Sequence, residues 1–68
     1  MTSQQLLNAT LLHFKAVKAR AEANLSIYLT AVVGVGEHAD LVKEIIELTK
    51  TITEADEAIK YLENKQWK

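Results

Sequence analysis

Two runs of apolar side chains, each recurring at alternating steps of four and three residues, constrain the fold of this chain most. The first run consists of Leu7, Leu11, Phe14, Lys18, Ala21, Leu25, Tyr28 and Val32, with Lys18 filling one apolar position. The second run consists of Leu41, Ile45, Leu48, Ile52, Ala55, Ile59, Leu62 and Gln66. This spacing places all members of a run on one face of an α-helix. The sequence therefore predicts two amphipathic helices, and we call the two runs together the seam.

The only two glycines, Gly34 and Gly36, stand between the two runs, and the chain contains no proline. A glycine after a helix readily takes the left-handed conformation that ends it. If the chain folds back at these glycines, the two runs pair in one constant register, beginning with Val32 opposite Leu41. The sequence therefore predicts an all-α fold, an antiparallel two-helix hairpin.

The hairpin forms one domain over residues 1–68, with helix 1 over about 3–33, a turn over about 34–38 and helix 2 over about 39–65. Thr2 and Gln5 have the spacing of a capping box at the start of helix 1. Residues 49–53 have low helix propensity. The seam continues through them in phase, so we expect them to be helical but the softest part of helix 2.

A second apolar line on helix 1 indicates that a single hairpin leaves apolar surface uncovered. It consists of Ala9, Leu12, Ala16, Ala19, Ala23 and Ile27, on a face turned away from the seam, and we call it the outer face. Short chains without disulfides or structural metal ions often complete their core with another subunit. We expect a homodimer that forms a four-helix bundle with helix 1 at its centre, or a dimer of dimers. The alternative is an alanine-rich face that sits in water.

The positions of the charged side chains indicate which contacts form between the two helices. Lys15 and Lys18 come opposite Glu54, Asp56 and Glu57 when the hairpin closes, so we expect ion pairs between the helices there. Trp67 lies beyond the last seam positions. It either packs over the Leu7 end of the hairpin or anchors a partner.

Several functional classes find no support in the sequence. The absence of cysteine excludes disulfides and thiolate zinc sites, and the net charge of −1 gives no footprint for nucleic acid. No segment approaches the roughly 20 apolar residues of a membrane helix. The N-terminus has no basic cluster ahead of an apolar core, so we expect no signal peptide and a cytoplasmic protein.

We find no catalytic motif and predict no cofactor. Glu37, His38 and Asp40 could hold a weak cation within one helical turn, but a solvated helix start explains these acids better. His13, the other histidine, lies too far along helix 1 to join them within one chain.

The segment around the glycines reads Val33-Gly34-Val35-Gly36-Glu37-His38, and Asp40-Leu41 follow shortly after it. It resembles that of small uncharacterised helical-hairpin proteins encoded by tailed phages of marine cyanobacteria, which pair an alanine-rich first helix with an acidic second one. Ala39 stands where we expect the family to have a proline. The resemblance implies a viral origin and no known activity or site residues.

These observations favour a non-enzymatic interaction protein that self-associates, acting as a small phage accessory factor. One alternative is an adaptor or inhibitor that binds a host or virion protein through the outer face of helix 1. A further alternative is a cation-dependent enzyme whose site is built across subunits.

Overall fold

The structure, a computed structural model, describes residues 1–30 and 38–65, with side chains described from residue 40 in the second range. It contains two helices, α1 (Ser3–Thr30) and α2 (His38–Glu63). The two pack against each other along their length. The predicted all-α helical hairpin is confirmed.

Helix α1 begins with the predicted capping box. The backbone N–H of Gln5 donates to Oγ1 of Thr2 at 3.1 Å, and the backbone N–H of Thr2 donates to Oε1 of Gln5 at 2.8 Å. These two bonds satisfy N–H groups that the first helical turn leaves without a partner. The sequence therefore fixes the start of α1 through local hydrogen bonds.

Burial follows the predicted seam. Every described seam residue, from Leu7 to Tyr28 and from Leu41 to Leu62, is buried or half-buried. Ala21, Ala55 and Ile59 form the most buried part, with exposures of 5%, 3% and 8%. The small alanines allow the helices to approach closely at mid-length.

Only three other residues with described side chains share this burial: Val17, Asp56 and Ala58. Val17 and Ala58 occupy the same heptad position on their respective helices, on one side of the seam. Asp56 borders the seam on the other side. The core is therefore a narrow strip one or two side chains wide.

Residues 49–53, the segment of helix 2 with low helix propensity, are helical, as predicted. Three threonine hydroxyls in it donate to backbone carbonyls one turn earlier: Thr49 to Ile45 at 2.7 Å, Thr51 to Glu47 at 3.1 Å and Thr53 to Lys50 at 3.1 Å. These bonds let exposed threonines satisfy their hydroxyls without leaving the helix.

The ends of the elements differ slightly from the predicted bounds. Helix α2 starts at His38, the last residue of the predicted turn, and ends at Glu63, with Asn64 in a turn. The backbone N–H of Asn64 donates to the Lys60 carbonyl, and that of Lys65 to the Leu62 carbonyl, both at 3.1 Å. The predicted last turn of helix 1, the glycines of the bend and Trp67 all lie outside the described residues.

The molecule is a rod. Its extents are 54 × 15 × 14 Å, and its radius of gyration is 15.9 Å. A compact domain of this length would have a radius of gyration of about 11 Å. A rod only two helices thick has few positions that neighbours surround on all sides, which explains the small core.

Candidate interaction surface

The outer face of α1 lies opposite its seam and is exposed along its whole length. All six of its residues are exposed: Ala9, Leu12, Ala16, Ala19, Ala23 and Ile27. Leu12 and Ile27 are the largest of these side chains, with exposures of 67% and 61%. Helix α2 covers none of this surface because it packs against the opposite side of α1.

Helix α2 presents a different surface on the side away from its own seam. Six charged residues are exposed there: Lys43, Glu47, Lys50, Glu54, Glu57 and Lys60. Helix α1 therefore carries a continuous apolar line on the side away from its seam, whereas the corresponding side of α2 is mainly charged, with Ile46 and Tyr61 as exposed apolar residues. A helix that is apolar around much of its circumference is normally buried on more than one side.

Further exposed apolar side chains lie near the bend end of the rod. Leu29 on α1 and Val42 and Ile46 on α2 are each about half exposed or more. Ile27 of the outer face lies at the same end. The apolar surface that a partner could cover therefore extends from the outer face toward the bend.

One polar cluster crosses the seam. Nζ of Lys18 donates to Oδ1 of Asp56 at 2.8 Å, and Nζ of Lys60 donates to Oδ2 of the same carboxylate at 3.0 Å. The Lys18 and Asp56 side chains are each about one-third exposed. This pair confirms that Lys18 is neutralised from the opposite helix, as the sequence predicts.

The cluster shifts the pKa values of Lys18 and Asp56. The hydrogen bond from Lys18, followed by that from Lys60, holds the pKa of the Asp56 carboxyl below its ordinary value. The hydrogen bond to Asp56 raises the pKa of the Lys18 ammonium. Both groups are charged at neutral pH, so the cluster favours one relative position of the two helices.

Lys15 pairs with a residue that the sequence does not predict. Its Nζ lies 3.7 Å from Oε2 of Glu63, with both side chains about half exposed. The sequence predicts Glu54, Asp56 and Glu57 as the acids opposite Lys15 and Lys18. Lys18 does pair with Asp56, whereas Lys15 pairs with Glu63 instead. Lys15 and Glu63 share a heptad position on the edge beside the seam, where long side chains reach across the two helices.

A groove opens at the end of the rod opposite the bend. It has a volume of about 320 Å³ and is lined mainly by Leu6, Leu7, Tyr61 and Leu62, with Ser3, Thr10 and Lys65 at its rim. The ammonium of Lys65 lies 5.8 Å from the centre of the Tyr61 ring. Tyr61 and Leu6 are both more than half exposed in this groove, and Leu6 lies beside the seam rather than in it. Adjacent apolar pairs at both chain ends, Leu6-Leu7 and Tyr61-Leu62, are the signal that could have revealed this groove.

The weak cation site that Glu37, His38 and Asp40 could form lies largely outside the described side chains. Glu37 and the side chain of His38 lie outside them, and Asp40 is exposed at the start of α2. Within residues 1–30 and 38–65, no three His, Cys, Asp or Glu residues are grouped as metal ligands would be. His13 packs edge-on against Phe14, with ring centres 5.1 Å apart.

Neither described helix combines the length and the apolar character that a membrane crossing requires. Comparisons of the chain with protein-family models, curated proteins and solved structures find no match.

Proposed function

We propose that this protein is a non-enzymatic assembly protein whose hairpins self-associate through the outer face of α1. The observation that carries the proposal is the difference between the two helices on the sides that they turn away from each other. That side carries a continuous apolar line rich in small residues on α1, and is mainly charged on α2. Only α1 therefore has a second face suited to close helix packing.

The energies involved are of a suitable size. Fully burying a leucine or isoleucine side chain stabilises a protein by about 1.5–3 kcal/mol. Association itself costs at least about 4 kcal/mol. A homodimer would cover Leu12 and Ile27 of both copies, and the alanines between them would let the helix axes approach closely. Covering these four large side chains offsets the lower end of the association cost.

The assembly that we propose places α1 at the centre and α2 outside. The charged face of α2 then remains in water, and the Lys18–Asp56 cluster keeps each hairpin in its own register. We place this assembly in the cytoplasm. The resemblance of the bend to phage-encoded hairpin proteins suggests the role of a small phage accessory factor.

Sedimentation velocity on three forms of the protein tests this proposal. Ala19→Glu places a carboxylate in the middle of the outer face of α1. Thr53→Glu is the matched control, because it adds the same charge to the outside of α2 at nearly the same level of the rod. At micromolar concentrations we expect dimers for the wild type and for Thr53→Glu, and monomers for Ala19→Glu.

Circular dichroism should show equal helix content in all three forms. A wild type that sediments as a monomer would overturn self-association and favour a different protein as the partner of the outer face. An Ala19→Glu variant as dimeric as the Thr53→Glu control would show that copies associate through another surface.

A further inference from the structure

We infer that the two copies pair their α1 helices antiparallel, about a two-fold axis between Ala16 and Ala19, with Lys15 of each copy paired to Glu22 of the other. This inference rests on the proposed self-association and specifies its geometry and its charge recognition. It makes the interface isologous, so that each contact occurs twice.

The spacing of the outer face supports an antiparallel pairing. From Ala9 to Ala23 its residues recur at alternating steps of three and four, the same pattern that pairs α1 with α2 across the seam. In the antiparallel register Ala16 lies opposite the partner's Ala19, and Leu12 lies opposite the partner's Ala23. Leu12, the large side chain in the middle part of the outer face, thus meets a small one.

A parallel pairing fits less well. Equal positions would meet there, so Leu12 would lie against the partner's Leu12 and each outer-face alanine against its own copy. Two large side chains would hold the helices apart at one level and leave gaps at the alanines. Gaps of this kind lose packing contacts.

Charges at the edge of the outer face select one register. Lys15 and Glu22 occupy the same heptad position one heptad apart, on the edge between the seam and the outer face, and both are exposed. Centred between Ala16 and Ala19, the antiparallel pairing brings Lys15 level with the partner's Glu22, twice in the dimer. A slip by one heptad in either direction would place Lys15 opposite the partner's Lys15, or Glu22 opposite the partner's Glu22.

Both groups are available for such a contact. Glu22 makes no ion pair within 4 Å among the described residues, and its charge acts on Lys18 of the same helix only at longer range. Lys15 is held only by the long, half-exposed contact to Glu63. On the other edge the same register brings Leu6 level with the partner's Ile27, which covers two further exposed apolar side chains. His13 and Arg20 also lie on that edge and offer no attractive pair, so charge selection depends on Lys15 and Glu22.

A charge-swap experiment tests the register. Lys15→Glu and Glu22→Lys each replace two attractive contacts in the dimer with two repulsive ones. We expect each variant alone to dimerise about tenfold more weakly than the wild type. An equimolar mixture of the two variants should form a heterodimer about as tight as the wild-type dimer, because each glutamate then faces a lysine. Thermal unfolding of each variant at monomeric concentrations separates this effect from loss of the Lys15–Glu63 contact.

Disulfide crosslinking provides a second test, since the native chain has no cysteine. Ala9 lies level with the partner's Ser26 in the proposed register, whereas the two Ala9 positions are about 25 Å apart. Ala9→Cys and Ser26→Cys should therefore crosslink when mixed, and neither should crosslink alone.

The outcomes distinguish the inference from the function on which it rests. A monomeric wild type would remove the proposed self-association. A dimeric wild type whose charge-swapped variants bind no better mixed than alone would overturn the register. Crosslinking of Ala9→Cys with itself would indicate a parallel pairing and would also overturn it.

Discussion

At the scale of single residues, Lys18 is the one charged member of the seam, and Asp56 explains how the seam accommodates it. An unpaired charge at a half-buried position would be unfavourable. The 2.8 Å contact to Asp56, together with the second contact from Lys60, satisfies the carboxylate from both helices. The cluster therefore links the position of α1 to that of α2.

This cluster predicts a dependence of stability on pH. Because the pKa of Asp56 is lowered in the folded protein, its contribution is present above the ordinary carboxyl pKa. That contribution is lost as the pH falls through the lowered value. Because the pKa of Lys18 is raised in the folded protein, the stability that Lys18 contributes is lost at the alkaline end, as the pH rises through that raised pKa.

The variant Asp56→Asn tests the loss of stability at low pH. We expect it to melt at a lower temperature than the wild type at neutral pH, and the difference to vanish in strong acid, where Asp56 is protonated. Glu57→Gln, at the exposed neighbouring acid, should change the melting temperature little at any pH. A difference between wild type and Asp56→Asn that persists in strong acid would contradict this role.

The capping box gives a second prediction at the residue scale. Thr2→Ala removes the side-chain acceptor of the Gln5 N–H and should lower the free energy of unfolding by about 1 kcal/mol. Ser3→Ala, at the next position, should not lower it, because alanine is the better helix former. Urea unfolding of both variants is the measurement, and equal losses would argue against the cap.

At the scale of the helices, much of the fold could be predicted from the sequence because a heptad pattern fixes which face is buried. The described seam residues are those that the spacing indicates, and the Thr2–Gln5 cap was readable from two residues. The partner of Lys15 could not be predicted, because an exposed, flexible side chain can reach several acids with similar free energies. Leu6 was missed because the groove that it lines depends on where the two chain ends meet.

The seam predicts that truncating two isoleucines of α2 lowers the free energy of unfolding by unequal amounts. Ile59→Ala, at an 8% exposed position, should lower the free energy of unfolding by about 2–5 kcal/mol. Ile46→Ala, at a position about half exposed, should cost clearly less. Urea midpoints of the two variants, measured below the dimerisation range, compare them directly. A larger cost at Ile46 would contradict the assignment of the core.

In residues 49–53 of α2, replacing an exposed threonine should increase the stability of the protein. Thr51 is exposed, and its hydroxyl bonds only to the Glu47 carbonyl one turn earlier among the described contacts. Replacing it with alanine should raise the free energy of unfolding by about 0.5 kcal/mol, since threonine is the poorer helix former. A loss of stability in Thr51→Ala would show that the hydroxyl bond outweighs helix propensity.

At the scale of the whole molecule, the hairpin exposes more surface than a compact monomer would. Its accessible surface is 5365 Å² for a mass of 7.6 kDa. A typical folded monomer of that mass exposes about 4,300 Å². The excess follows from the rod shape and includes the outer face of α1. Pairing two rods along α1 would cover part of this excess and thicken the narrow core.

The central claim is that this rod associates with a second copy of itself, and the mass of the wild-type protein in solution tests that claim most directly. Light scattering or sedimentation equilibrium over a range of micromolar concentrations should give twice the 7.6 kDa of the chain, falling toward one chain on dilution. A mass of one chain at every concentration, with helix content intact, would contradict the account.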